Sequence, residues 1–451
     1  MKTELSKYKK YGFNWIGKEE AYEETKEASK KVFALDKKKS INPKKSENIY
    51  IEGDNTDALK FLKQHYKNKI RAIYIDPPYN TKKDFVYKDR YNRSSWCSMV
   101  YKSLLLSRDL LTNDGVIFIS IDDNELSALR MICDEVYGEE NFITQFIYEK
   151  TQHFGRQKLN TYSNAEYVLC YAKELFKTKT KELLAERINT EFEDAPLFNA
   201  SNNITVLKFP PKTVDFKIKD GIYKKSKSDC YELLSSVEVK NGINEKEFSI
   251  KFKSRWSQKK VLEEIKKGTR FLVKSETFAI RAVYGGDKSA TIAPKQIIFT
   301  NKNNSHCAFS RFEEQVTTSE TGKKDLEKIM EEYCFSYPKP VSLIKYLLSL
   351  IYDEKIESFP NDFTVLDFFS GSATTAQAVL ELNRHDNGNR KFILVQKPEK
   401  INNNNYQTIC DIGEERIKRV IKHLYPNNTN GFQILKAEEM FPADIGDNRK
   451  H

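Results

Sequence analysis

The chain has little of what secreted, metal-binding or membrane-spanning proteins need. Its seven cysteines, at positions 97, 133, 170, 230, 307, 334 and 410, form no C-x-x-C pair in 451 residues. That argues against both a disulfide framework and a zinc site. Six scattered histidines add no metal-ligand spacing, so no metal is expected. No apolar run approaches the roughly 18 residues of a membrane span. Met1 to Gly17 mixes Lys with Tyr and Trp where a secretory signal carries an apolar core. The expected compartment is the cytoplasm, without a membrane partner. A G-x-x-x-x-G-K-[ST] phosphate loop is also missing, which leaves ATP-driven chemistry to other chains.

What is present is enough for a large core. Hydrophobic residues are 39% and aromatics 12% of the chain, too many for a disordered one. At about 150 residues per domain the length fits two or three domains, or one large domain carrying an insertion. The net charge of +11 points to nucleic acid, although a chain rich in Lys, Asn, Ile and Tyr reaches that value through codon bias alone. Distribution says more than the total. Residues 201 to 270 hold 17 Lys or Arg against 9 Asp or Glu, a net of +8 in about one seventh of the chain.

Residues 1–48 read as a polar arm with a helix from Lys18 to Lys31. From Ile49 the pattern becomes strand, helix, strand, helix: strands at Ile49–Ile51, Ala72–Ile75 and Val116–Ile121, helices at 58–65, 98–111 and 125–137, and a further strand at Tyr167–Tyr171. Uniformly apolar strands of this kind belong to a parallel sheet covered on both faces. Alternation fades over 175–330, an expected inserted domain, and resumes over 331–425 with helices at 341–352 and 374–382 and strands at 363–368 and 392–395. Residues 426–451 read as a tail.

Two strand ends carry the chemistry. Val365-Leu366-Asp367 runs into Phe368-Phe369-Ser370-Gly371-Ser372-Ala373-Thr374, a small-residue turn opening a helix. In an open α/β sheet such a turn lets backbone N–H groups approach a nucleotide or a charged amino-acid moiety, and an ordinary tight turn fits it equally well. Asp76-Pro77-Pro78-Tyr79 ends another buried strand, where two prolines cannot continue the ladder. A fixed carboxylate, a proline carbonyl and a flat aromatic face suit the exocyclic amine of a planar base.

Gly53-Asp54-Asn55, then DPPYN, a long insertion and FSGSATT together resemble the amino DNA methyltransferases of the permuted β class, in which the catalytic motif precedes the cofactor motif. The segments YGFNWIGKEEA, IYIEGDNTDALKFL, DPPYNTKKDFVYKD, DGVIFISIDDNE, ICDEVYGEENFI, YPKPVSLIK and GNRKFILVQ look like the modification subunits of type III restriction-modification systems, from about Tyr11 to Val420 and most weakly between 175 and 320. The resemblance implies an α/β fold, a Rossmann-like seven-stranded and mostly parallel methyltransferase sheet with one antiparallel strand, circularly permuted, with an inserted target-recognition domain. It implies S-adenosylmethionine as methyl donor and adenine N6 of double-stranded DNA as acceptor. A homodimer and a separate restriction subunit are the expected protein partners.

Carried over by position, Asp76, Pro77, Pro78 and Tyr79 would hold a flipped adenine. Asp54 and Asn55 would meet the cofactor adenine, and Asp367, Phe369, Gly371, Ser372, Ala373 and Thr374 would shape the methionine end. Gln396 or Glu399 would take the ribose, 25 or 28 residues after Gly371. Lys339 would touch the methionine tail or remain a surface charge. Within the insert, Lys251, Lys253, Arg255, Trp256, Lys259 and Lys260 interleave cations with aromatics and would contact DNA; Arg281 to Gly286 is a further turn there. Two departures stand out: Ala373 where the family's loop has Gly, and Ala165-Glu166-Tyr167 where H-E-Y is common. Ala is tolerated at negative φ and destabilising at positive φ. Alternatives are a catalytically weakened DNA-binding specificity subunit and an N4-cytosine methyltransferase.

Overall fold

The computed structural model describes residues 12–29, 31–81, 89–153, 162–175, 184, 186–187, 194–283, 291–304, 307–310, 314–352, 361–427 and 430–439. The ends of the expected arm and tail, and the Arg281–Gly286 turn from residue 284 on, lie outside them. The chain divides into two compact units, residues 1–185 with 293–451, and residues 186–292.

The first unit is built on a ten-stranded sheet. Its strands are β1 (Lys31–Leu35), β2 (Ile49–Glu52), β3 (Ile70–Ile75), β4 (Leu111–Ile121), β5 (Phe142–Glu149), β6 (Ala165–Ala172), β7 (Ile297–Ile298), β8 (Thr364–Asp367), β9 (Lys391–Gln396) and β10 (Gln433–Glu439). The spatial order is β1-β10-β2-β9-β8-β3-β4-β6-β5-β7. Its central seven strands, β2 through β5, are parallel except β6, which runs antiparallel to both neighbours. That is the expected seven-stranded arrangement, extended by β10 and β1 at one edge and by β7 at the other.

Helices cover both faces, which is why the central strands such as β3 are buried along their whole length. Ile73 and Ile75 of β3 pack with Trp96, Leu104 and Leu129, from α3 (Arg93–Arg108) and α4 (Leu126–Tyr137). Ala72 and Tyr74 point the other way, into a core with Leu343 and Leu347 of α6 (Val341–Ser349) and Val379 of α7 (Thr374–Asp386). Successive side chains on a strand face opposite sides, so each buried strand must satisfy two cores. Also in this unit are α1 (Lys18–Lys26), α2 (Asn55–Tyr66), α5 (Ser319–Met330) and α8 (Ile409–Leu424).

Three expectations are corrected. The N-terminal helix stops at Lys26, and Lys31–Leu35, expected within the polar arm, is an antiparallel edge strand on β10. Its residues are mostly half-buried, and its short V-F-A-L run is flanked by charges on both sides, so it reads as part of a polar arm. The expected tail contains β10. The strand expected from Val116 starts at Leu111 and runs as β4 through Asn113-Asp114-Gly115, with a register shift against β3.

The second unit, 186–292, is narrower than the expected 175–330, because β7 and α5 belong to the first unit. Short strands form a seven-stranded and a four-stranded sheet around a core of Leu207, Phe209, Phe216, Phe248, Phe252 and Phe271. Residues 186–187 pair antiparallel with 291–292, so this unit begins and ends on neighbouring strands. Among the described residues no helix is long and apolar enough to cross a membrane.

Candidate active site

Four neighbouring parallel strands, β2, β9, β8 and β3, end on the same side of the sheet. In open α/β sheets ligands bind in the crevice outside such carboxyl ends. A cavity of about 320 Å³ lies there, within the size range of small-molecule sites. Asp76 and Pro78 reach it from the end of β3, and Asp367, Phe369, Gly371, Ser372 and Thr374 from β8 and its turn. Asp54 and Asn55 line it from β2, Gln396 and Glu399 from β9, and Lys339 from the approach to α6. Pro77, Tyr79 and Ala373 are not in its lining.

Asp76 sits in a network of charges. Lys339 Nζ is 3.1 Å from Asp76 Oδ1 and 3.3 Å from Glu166 Oε2, and Lys150 Nζ is 3.3 Å from Glu166 Oε1. Tyr79 donates its hydroxyl to Glu166 Oε2 at 3.3 Å, with Lys339 Nζ 4.7 Å from the centre of its ring. Lys339 is only 9% exposed, so it is no surface charge. Burial would depress its pKa, but Asp76 and Glu166 together raise it, keeping the ammonium charged. Burial raises the pKa of Asp76 above the ordinary aspartate value, with Lys339 opposing. For Glu166 burial acts upward too, yet Lys339 and Lys150 bring it below the ordinary value. Asp76 Oδ1 is fully buried while its side chain keeps 26% of its surface, which leaves Oδ2 to face a ligand.

Local structure fixes the DPPY turn. The indole N–H of buried Trp96 donates to the Pro78 carbonyl at 2.7 Å. Asn80, in the left-handed region at φ 57°, donates its backbone N–H to Asp89 and its side-chain amide to Glu125, and accepts from the Tyr91 N–H.

The turn after β8 is held from within. Asp367 accepts from the Phe369 N–H at 3.0 Å and from the Thr375 hydroxyl at 2.6 Å. It is 2% exposed, and burial pushes its pKa up to about 7 against those two donors. Gly371, at φ +50°, adopts a conformation that costs L-residues energy, and its N–H donates to Gln396 Oε1 at 2.8 Å. Gln396 also accepts the Gly53 N–H on its carbonyl, so it joins the turns after β2, β8 and β9. Asp54 caps α2 by accepting from the Thr56 N–H at 2.9 Å. A Cβ on Gly53 would lie 2.9 Å from Phe33 of β1, so the edge strand packs directly against this turn.

A family of proteins described as DNA methylases matches residues 70–423 of the chain. The chain is a member of this DNA methylase family. Among curated relatives, the Mod subunit of the type III restriction-modification enzyme StyLTI from Salmonella typhimurium is 29% identical, over 93% of this chain and 64% of its own length. The EcoPI Mod subunit of Escherichia phage P1 is 29% identical over 98% and 73%, and the type II methyltransferase M.KpnI of Klebsiella pneumoniae 27% over 90% and 94%. The chain thus spans a little under two thirds of the length of the Salmonella relative. Among solved structures, PvuII DNA methyltransferase (cytosine-N4-specific) covers 85% of this chain and 95% of its own at 12% identity and a TM-score of 0.37. The M1.HpyAVI–SAM complex covers 82% and 98% at 14% and 0.34.

In this methylase the departure at Ala373 falls on a strained position. Ala373 has φ 61° and ψ 37° at the entry to α7, a left-handed conformation costing a non-glycine residue about 1–2 kcal/mol. Its methyl group is fully buried, which returns roughly 0.8 kcal/mol. The site residues that sequence reasoning missed are Glu166 and Lys150. Glu166 sits in the A-E-Y segment noted only for lacking His, and its partners come from β6's neighbour and from Lys339, 173 residues away.

The residues expected to meet DNA divide. On the strand Phe248–Lys253, Phe248, Ile250 and Phe252 face the core, and Lys251 and Lys253 the opposite side. Lys251 pairs with Glu232 at 3.2 Å and Lys253 donates to the Ala200 carbonyl at 3.0 Å; Arg255 is exposed. Trp256 is half-buried, packing edge-on against Phe271 at 6.0 Å. Lys259 and Lys260 pair with Glu263 and Glu264 one helical turn on, at 4.0 and 2.6 Å.

Proposed function

We propose that this DNA methylase transfers a methyl group from S-adenosylmethionine to the N6 amine of an adenine flipped out of double-stranded DNA, in a specific sequence. The observation that carries the reading is one cavity lined by Asp76 together with Gly371, Ser372 and Thr374 of the turn after β8. When bound, the cofactor supplies an electrophilic methyl group. Its fit rests on features of the cavity: a turn whose positive-φ glycine lets the backbone approach a ligand, a helix entry at α7, and polar groups from four strand ends. Lys339 offers a cation to its amino-acid end, and Asp54, Asn55 and Glu399 line the part assigned to adenine and ribose.

Asp76 Oδ2 accepts one amine hydrogen of the target base and a proline carbonyl of the same turn the other, with Trp96 holding that turn in place through the Pro78 carbonyl. These bonds draw the nitrogen lone pair out of the ring and toward the methyl group. As the amine becomes cationic, the Asp76 carboxylate stabilises it and is placed to take its proton. Fixed electrostatic partners of this kind act mainly on the transition state. Lys339 covers one face of Tyr79, so the base stacks on the other, returning about 1–3 kcal/mol of the few spent on flipping.

Residues 186–292 are the target-recognition unit in this reading, supported by their loss of βα alternation and by the basic 201–270 segment. A separate restriction subunit is proposed as partner, because relatives similar over more than nine tenths of this chain include the Mod subunits of StyLTI and EcoPI. Incubating the purified chain with duplex DNA and radiolabelled S-adenosylmethionine, then separating nucleosides, tests the reaction. N6-methyladenine is expected; N4-methylcytosine would move the acceptor, and no label in DNA would remove the proposal.

A further inference from the structure

Arg416, on α8, is fully buried beneath the turn after β8. Its Nε donates to Gln377 Oε1 at 2.8 Å, and Nη1 to the Ser372 carbonyl at 3.1 Å, the Ser372 hydroxyl at 3.0 Å and the Thr374 hydroxyl at 2.7 Å. Every acceptor is neutral. Nη2 is buried without a hydrogen-bond partner. Among the described residues no carboxylate lies within 4.0 Å of the guanidinium. Glu381 and Asp325 act on it from farther off, and Glu381 is itself paired with Lys345 at 2.6 Å. The other fully buried arginine, Arg390, has its counter-ion in Asp386 at 2.6 Å. Burial lowers the pKa of Arg416 to about 10, which leaves it charged at neutral pH.

A buried charge without a partner is costly, and this one lies behind the two hydroxyl residues, Ser372 and Thr374, that line the cavity. Its charge is felt through a low-dielectric layer with little screening. We infer that Arg416 is a positioning residue for the cofactor's amino-acid end: it locks Ser372 and Thr374, and its unpaired charge favours a carboxylate seated at that turn. This rests on the S-adenosylmethionine reading above.

The test compares binding, by calorimetry on the full chain, of S-adenosylmethionine and its decarboxylated analogue, which lacks only the carboxylate. The wild type should prefer the intact cofactor at least tenfold. Arg416→Gln should shrink that preference to within about threefold, and Arg416→Lys should retain more of it. Equal loss of both ligands in Arg416→Gln, with the preference intact, would reduce Arg416 to a structural clamp and overturn the inference. If Arg416→Gln shows no cooperative melt, the wild type decides alone: a preference for the intact cofactor below about threefold overturns the inference. Failure of the wild type to bind either ligand would instead refute the cofactor reading itself.

Discussion

At the residue scale, Lys339 sets the working state of Asp76. Burial raises the carboxyl's pKa and Lys339 holds it down, so ionised Asp76 is lost as pH falls, from a point above the ordinary aspartate range. Replacing Lys339 by Met removes the opposing charge. The acid limb of the kcat/KM profile should then move to higher pH, and an unmoved limb would separate Lys339 from Asp76 function. Ala373 shows two small effects nearly cancelling. Ala373→Gly relieves left-handed strain of about 1–2 kcal/mol but loses a buried methyl worth ~0.8 kcal/mol and adds unfolded-chain entropy of ~0.4–1 kcal/mol. Thermal melts should therefore differ by only a few degrees, whereas Ala373→Val, with a β-branched side chain forced to positive φ, should melt far lower. DPPY and the FSGSA turn were legible because prolines and small residues interrupt apolar strands in ways that only a turn accommodates. Glu166 and Lys150 were not, since a charge within a strand pattern reads as a solvent-facing position until its partner is known.

At the element scale, the strand ends are where sequence and structure agree best, and the sheet edges where they agree least. β3 and β8 are buried on both faces, so their continuous apolar runs identify them. β1 and β10 pair with each other at an edge, half-exposed and charged, and such strands look like arm and tail. Asp367 closes β8 at a cost. Its folded pKa of about 7 stands above the ordinary carboxyl value, so its neutral form is the one the fold prefers. Its contribution is fully present below the unfolded value and is lost as pH rises through about 7. Asp367→Asn should therefore raise the melting temperature more at pH 8 than at pH 5. Equal shifts at both would mean that Asp367 titrates normally.

At the scale of the whole molecule, the chain divides into two compact units, and the proposed function gives catalysis to one and target choice to the other. The basic 201–270 segment gave the sequence signal, but the folded unit shows that its charges are unequal. Lys251, Lys253 and Arg255 lie away from the core, Lys251 paired across the sheet with Glu232, while Lys259 and Lys260 are paired along their helix and Trp256 is half-buried against Phe271. Interleaved cations and aromatics cannot reveal that by spacing, because the strand's alternation sends neighbours to opposite faces. Replacing Lys251, Lys253 and Arg255 together by Ala should flatten the slope of log K against log salt for DNA binding by about 2–3, at roughly 0.9 per phosphate contact. An unchanged slope would mean that these three face solvent.

The most direct test of adenine methylation centred on Asp76 is methylation-sensitive long-read sequencing of DNA from a host expressing the chain, beside a host expressing Asp76→Ala. Losing one preorganised electrostatic partner typically costs ~10²–10³ in rate. The wild type should leave N6-methyladenine in one recurring sequence, and Asp76→Ala, folded and binding DNA within a few-fold of wild type, should leave almost none. An unmarked genome under the wild type, or the same marks under Asp76→Ala, would contradict it.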